Sequence, residues 1–249
     1  MQWYVTSFVT HRKSADIHAI TFSAREYWSI LLADGTDSAY AKSLELAGQT
    51  VGKLGAREGS EWSLDGITEL LIVPEAPSEG SELMWGEREY SAVDLEKYIR
   101  KKGDLRVFTS TQRCTSNWYI CEVVLVEVHD TGSHGDARLV WTNSLFIKAR
   151  DAESSYNVAT DLGNKQASES GTHRCNGDSA HWEFAGLREL IPTIDEPHDG
   201  AILWFDEFNA SDDRLRTVIP TRSELGAFKW EARSRISGSK GREQGDSLI

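Results

Sequence analysis

The sequence predicts an α+β protein made of two tandem, pseudo-symmetric copies, each an antiparallel sheet of about four strands with helices on one face. Three observations predict it. The first is an ungapped repeat. Trp62, Gly66, Glu69, Leu70, Pro77, Gly80 and Leu83 fall on Trp182, Gly186, Glu189, Leu190, Pro197, Gly200 and Leu203. Further on, Glu87, Ser91, Leu95, Ile99, Leu105 and Phe108 fall on Glu207, Ser211, Leu215, Ile219, Leu225 and Phe228. That is roughly a quarter identity, several times the chance level for average composition. The second is a looser match upstream, where Trp3-Tyr4 pairs with Trp118-Tyr119 and Tyr40 with Tyr156. The third is that the hydrophobic period changes in the same order in both halves.

Each copy opens on a β-branched and aromatic run, Trp3 to Val9 or Trp118 to Val126, which reads as a strand. A polar turn follows, clearest at Asp130 to Asp136, and then a second strand through Ile20 to Leu32 or Arg138 to Ala149. The period then becomes helical. Tyr40, Leu44 and Ala47 form one stripe, with Thr36 or Asp37 as the N-cap. The matching helix runs from Asp151 to Leu162 and ends at Gly163. Third strands at Glu61 to Leu64 and His181 to Phe184 turn at Gly66 and Gly186. After the acidic turns Pro74 to Gly80 and Asp195 to Gly200 come fourth strands, Leu83 to Trp85 and Ile202 to Phe205, and closing helices at Ala92 to Lys101 and Asp212 to Ile219. The expected domains are 1–113 and 114–233, followed by a flexible polar tail over 234–249. The two copies would join edge to edge into one sheet or pack face to face, so that no edge strand is left bare.

The chain of 249 residues carries a formal charge of −12. Residues 1–113 hold 13 basic and 17 acidic side chains, residues 114–228 hold 9 and 19, and the remainder 5 and 3. An acidic second copy disfavours direct nucleic-acid binding, because phosphates repel carboxylates. No apolar run is long enough to span a bilayer. The start shows neither a basic nor an apolar leader region, and Cys114, Cys121 and Cys175 lack CxxC spacing. The expected location is therefore the cytoplasm of a reducing cell.

The run Trp182-Glu183-Phe184-Ala185-Gly186-Leu187-Arg188-Glu189-Leu190, followed by Asp199-Gly200-Ala201 and preceded by an opening Trp-Tyr strand, resembles a bacterial family labelled domain of unknown function 4288. The second copy matches from Trp118 to about Phe208, and the first is a degraded match. The label implies a bacterial source and brings no activity, so no catalytic residue is carried over.

Candidate sites are sparse. His173, Cys175, Asp178 and His181 have metal-ligating chemistry, but their spacing matches no usual zinc pattern, and no metal or cofactor is expected. No nucleophile elbow, P-loop or dinucleotide fingerprint is present. Cys121 reads as a core thiol, and Cys114 as a linker residue without a neighbouring histidine. The recurring Trp3, Trp62, Trp118 and Trp182 read as core, together with Gly66 and Gly186. The reading is a non-catalytic protein-binding module, such as an immunity or defence factor that caps a basic protein. Asp195, Glu196, Asp199, Asp206, Glu207 and Trp204 would form its binding surface. The alternatives are a small-molecule or peptide cleft between the copies, and a hydrolase or nuclease assembled across them.

Overall fold

The computed structural model describes residues 1–13, 21–110, 116–130, 137–175 and 178–240, and all side chains among them except those of residues 175, 178 and 234–240. The elements of the first half are β1 (Gln2–Arg12), β2 (Phe22–Ala33), α1 (Thr36–Glu58), β3 (Trp62–Val73), β4 (Glu82–Ser91), α2 (Ala92–Tyr98) and α3 (Arg106–Thr109). Those of the second half are β5 (Trp118–His129), β6 (Ala137–Lys148), α4 (Ala152–Glu169), β7 (Thr172–Cys175), β8 (Asp178–Pro192), β9 (Ala201–Ala210), α5 (Asp212–Val218) and α6 (Gly226–Lys240). Short 3₁₀ turns at Lys102–Asp104 and Arg222–Glu224 precede α3 and α6.

The two compact units do not follow the boundary at 113/114. Unit 1 is Met1–Val73 with the described part of Asp199–Ile249, and unit 2 is Pro74–His198. The strand exchange is explicit in the ladders: β9 pairs with β2 and β4 pairs with β6, both antiparallel. The crossing segment is anchored alike in both units. Gly80 N–H donates to the Phe146 carbonyl, and Gly200 N–H to the Ile30 carbonyl. Both glycines hold a positive φ, +83° and +85°, which a β-carbon would strain. The exchange also redistributes charge. Counted in sequence, stretches 1–73 and 199–249 together carry 14 basic and 18 acidic residues and stretch 74–198 carries 13 and 21, so the −10 counted along 114–228 belongs to neither.

Unit 1 is a four-stranded antiparallel sheet in the order β3-β1-β2-β9. One face buries Tyr4, Phe8, Tyr27 and Leu31 under Ala39, Ala47 and Leu54 of α1, with Leu225 just before α6 and Ala227 within it added. Each such large side chain contributes about 1.5–3 kcal/mol on leaving water. Unit 2 orders five strands as β4-β6-β5-β8-β7, with Cys121, Val123, Leu125 and Leu145 under Ala159 of α4.

Helices on a single face were expected, but each unit covers its other face too. Leu215 of α5 packs on Val9 and Ala24, and Leu95 of α2 packs on Val124 and Val140. The reason lies in the strands, which are apolar at successive positions and so have two faces to bury.

Several boundaries moved. α1 is capped by Gly35, not by Thr36 or Asp37. The Thr36 hydroxyl bonds Glu231, and Asp37 pairs with Arg222. α4 runs through Gly163, which is no terminator. A β-carbon there would stand 2.4 Å from the Phe184 ring, so glycine is needed for the helix to approach the sheet. β3 and β8 likewise run through Gly66 and Gly186 without turning. α6 reaches Lys240, where a flexible tail was expected from 234. Once the helix is nucleated at Gly226–Arg233, each added residue costs little. Residues 241–249, the linker cysteine Cys114 and most of the 130–136 turn lie outside the described residues. No helix among the described residues is long and apolar enough to cross a membrane.

Candidate functional site

A trough opens on the α2 face of the unit 2 sheet, with a volume of about 190 Å³. Strand register builds its floor. One row across three strands is Glu122, Ser144 and Met84, and the next is Val124, Thr142 and Gly86. Small side chains at Ser144, Thr142 and Gly86 leave the space. A β-carbon built on Gly86 would meet no heavy atom within 4 Å. Val124, Val126 and Val140 continue the face beneath Leu95 and Tyr98 of α2.

The short helix α2 is held at both ends. Ser91 caps its first turn by accepting from Asp94 N–H. At the other end Ile99 becomes extended and lies over Gly186, where a β-carbon would stand only 2.6 Å from Ile99 Cγ2. Arg100 N–H then donates to the Leu187 carbonyl. These contacts set Tyr98 at the trough's edge, where its hydroxyl meets Thr142 Oγ1 at 3.3 Å and accepts from Arg188 at 2.9 Å. The Arg188 guanidinium also lies 4.6 Å from the centre of the Tyr98 ring.

Glu122 is the electrostatic centre. Its carboxylate is largely buried, and its contacts are long: 3.4 Å from the Ser144 hydroxyl and 3.6 Å from Arg188 Nε. Burial pushes its pKa up, and Arg188, the next largest influence, pulls it back only in part; the neighbouring Glu189 charge adds to the rise. The Tyr98 phenol is also raised, first by burial. Arg88 and Tyr90 of β4 complete the rim, and Arg88 forms no ion pair among the described residues. The residues lining the trough include one carboxylate and no imidazole or thiol. That arrangement can hold a charged polar molecule, but it does not set an acid beside a base.

Glu189, opposite Glu122 in the ladder, has a different task. Only 3% exposed, it pairs with Arg100 at 2.9 Å and Arg106 at 2.8 Å, and accepts from the Arg106 backbone N–H at 3.1 Å. It fastens α3 to β8. In unit 1, Glu69 accepts from Gly226 N–H at 3.2 Å and fastens α6 to β3.

The six residues expected to form a partner surface are divided between units: Asp195 and Glu196 in unit 2, Asp199, Trp204, Asp206 and Glu207 in unit 1. Trp204 is 5% exposed and stacks on Trp28 at 5.0 Å, so it is a core residue and not an anchor. Asp199 accepts from Lys42 at 2.5 Å and from Leu32 N–H at 2.8 Å. Glu207 pairs with Arg25 at 3.2 Å. Both are committed within the unit.

Trp62 is buried, with Arg25 over its ring, and Trp118 and Trp182 pack edge-on against Phe146 and Trp141. Trp3 lies in β1, half-buried. Cys121 is fully buried, which pushes its thiol up to about 12 and keeps it protonated. His173 bonds Glu127 at 2.7 Å while His181 bonds Asp130 and Glu183, so the two histidines serve different carboxylates. Among the described residues no group of three His, Cys, Asp or Glu side chains could hold a metal ion.

Sequence reasoning passed over Glu122, Tyr98 and Arg188. One signal was present: Glu122 is a single charge inside the apolar run Tyr119 to Val126. Comparison with protein-family models, curated proteins and solved structures finds no match for this chain.

Proposed function

We propose that the chain is a non-catalytic binding protein that holds a small polar molecule in the unit 2 trough, with unit 1 as its scaffold. One observation carries this reading: a largely buried carboxylate whose two contacts among the described residues are both 3.4 Å or longer faces an open trough. A buried charge without close partners is costly, and a ligand that supplies the missing donors recovers that cost. At about 190 Å³ the trough is smaller than the roughly 300–1,000 Å³ of drug-sized pockets, which suits a metabolite. The same reading takes the two units as copies of one ancestral fold that have exchanged their last strand and helices, the second retaining the site and the first having filled it. It replaces the acidic capping surface, whose residues are divided between units and partly committed to internal contacts.

Gly86→Val tests it. The added side chain enters open space, so the fold tolerates it while the trough is obstructed. A metabolite screen by thermal shift should find a ligand that stabilises the parent chain and leaves Gly86→Val unmoved, since a ligand at a hundred times its Kd stabilises by about 2.7 kcal/mol. Equal stabilisation of both proteins would place binding elsewhere and sink the reading.

A further inference from the structure

Resting on that reading of the trough, we infer that its ligand is a small zwitterion of the α-amino-acid type, with its ammonium on Glu122 and its carboxylate on Arg188. The protein presents opposite charges side by side, 3.6 Å apart on neighbouring strands. An α-amino acid carries opposite charges on adjacent carbons, so it can lie across the pair with each charge facing its complement. A lone amine would satisfy Glu122 and compete with Arg188. A lone carboxylate would satisfy Arg188 and be repelled by Glu122.

The donors and acceptors agree with this assignment. Among the described residues Glu122 accepts from the Ser144 hydroxyl alone, with Arg188 Nε standing 3.6 Å away, which leaves acceptor sites for an ammonium. Arg188 directs one nitrogen to the Tyr98 hydroxyl and Nε toward Glu122, and its guanidinium has further N–H groups for a carboxylate. Arg88, exposed on edge strand β4, adds a second positive charge to the rim, across β6 and β5 from Arg188. The Tyr98 ring, already beneath one guanidinium, bounds the space with an aromatic face. Size also fits. The volume corresponds to about six waters at ~30 Å³ each, which accommodates amino acids with small or branched side chains better than peptides.

The experiment is calorimetric titration of the full chain with the twenty L-amino acids. For the best binder, it continues with its decarboxylated and its deaminated analogue; for valine these are isobutylamine and isovalerate. The expected result is one or a few amino acids binding, with both analogues at least tenfold weaker. Glu122→Gln and Arg188→Gln should each weaken binding at least tenfold at unchanged circular dichroism, and Gly86→Val should abolish it. An amine or a carboxylate that binds as well as the zwitterion, still blocked by Gly86→Val, overturns the zwitterion assignment and leaves the trough as the site. If no amino acid or analogue binds, the zwitterion assignment falls and the metabolite screen alone decides the reading beneath it; if binding survives Gly86→Val, both fall.

Discussion

The same sheet face is closed in unit 1 and open in unit 2, and register shows how. In unit 1 the row is Ser7, Trp28 and Trp204; in unit 2 it is Glu122, Ser144 and Met84. The two tryptophans stack at 5.0 Å and 9°, and occupy with rings the positions that serine and methionine leave open. One row on, Glu26 and Asp206 stand where unit 2 has Thr142 and Gly86. Thr68 takes the place aligned with Arg188, and bonds Ser7 at 2.5 Å and Glu26 at 2.6 Å. At this place unit 1 joins Ser7, Thr68 and Glu26 internally, while unit 2 leaves a carboxylate with distant partners. The residues shared by the repeats explain the scaffold: Gly66 and Gly186 under Ile219 and Ile99, Glu69 and Glu189 on a helix start, Ser91 and Ser211 as N-caps. The residues that differ explain the trough.

The largest predicted effect sharpens the scaffold half of the comparison. Gly186→Ala and Gly66→Ala both drive a β-carbon to 2.6 Å from an isoleucine methyl, which costs about 1–3 kcal/mol in overpacking. Gly186 also sits at φ +148°, and such strain adds about 1–3 kcal/mol. Urea denaturation should therefore rank Gly186→Ala as the more destabilised variant. Ile99→Leu, which removes the Cγ2 methyl, should restore part of the loss in Gly186→Ala and none in Gly66→Ala. Equal midpoints for the two glycine variants would mean the backbone difference is energetically idle.

Next in size is the glutamate that starts each terminal helix. Removing one partner of a buried ion pair costs about 3–5 kcal/mol. For Glu189→Ala we expect about 2 kcal/mol, because Arg100 and Arg106 are 43% and 31% exposed and rehydrate once freed. Glu69→Ala, which loses bonds to backbone N–H groups, should cost about 1 kcal/mol. Denaturation midpoints of the two variants check the order, and the reverse order would contradict it.

The smallest effect is the part of the pH dependence that Glu122 contributes. Glu122 is the titrating group, raised first by burial and also by Glu189, and lowered by Arg188, Arg106 and the Ser144 hydroxyl. A carboxyl raised in the folded state keeps its proton longer than in the unfolded chain. Stability then falls as pH rises from the ordinary glutamate range through the raised value. Glu122→Gln should remove that fall, visible as a flatter plot of denaturation midpoint against pH between 4 and 8. A slope unchanged by Glu122→Gln would assign the dependence to another group.

Much of the local structure was legible. β-Branched and aromatic runs at Trp3 to Val9 and Trp118 to Val126 marked β1 and β5, and the Tyr40, Leu44, Ala47 stripe marked α1, although Leu44 is exposed and the buried face runs through Ala39, Ser43, Ala47, Thr50 and Leu54. The roles of Gly66, Gly163 and Gly186 were misread as turns or an end, since glycine marks a bend and a close approach with the same letter. Gly163 opposite Phe184 in unit 2 stands where unit 1 has Ala47 with Leu64, a smaller-with-larger compensation that only packing reveals.

By itself the sequence determined the kinds and order of most elements, though not β7, α3 or α6, because propensity, period and capping act over a few neighbouring residues. The tertiary structure alone decided that β4 pairs with β6 and β9 with β2. The edges of β2 and β6 both offer an antiparallel ladder to a fourth strand, so the choice rests on chain path and packing. It also decided the trough. Glu122, Tyr98 and Arg188 are far apart in the chain and meet through strand register and the seating of Ile99 on Gly186. No short-range pattern encodes that meeting.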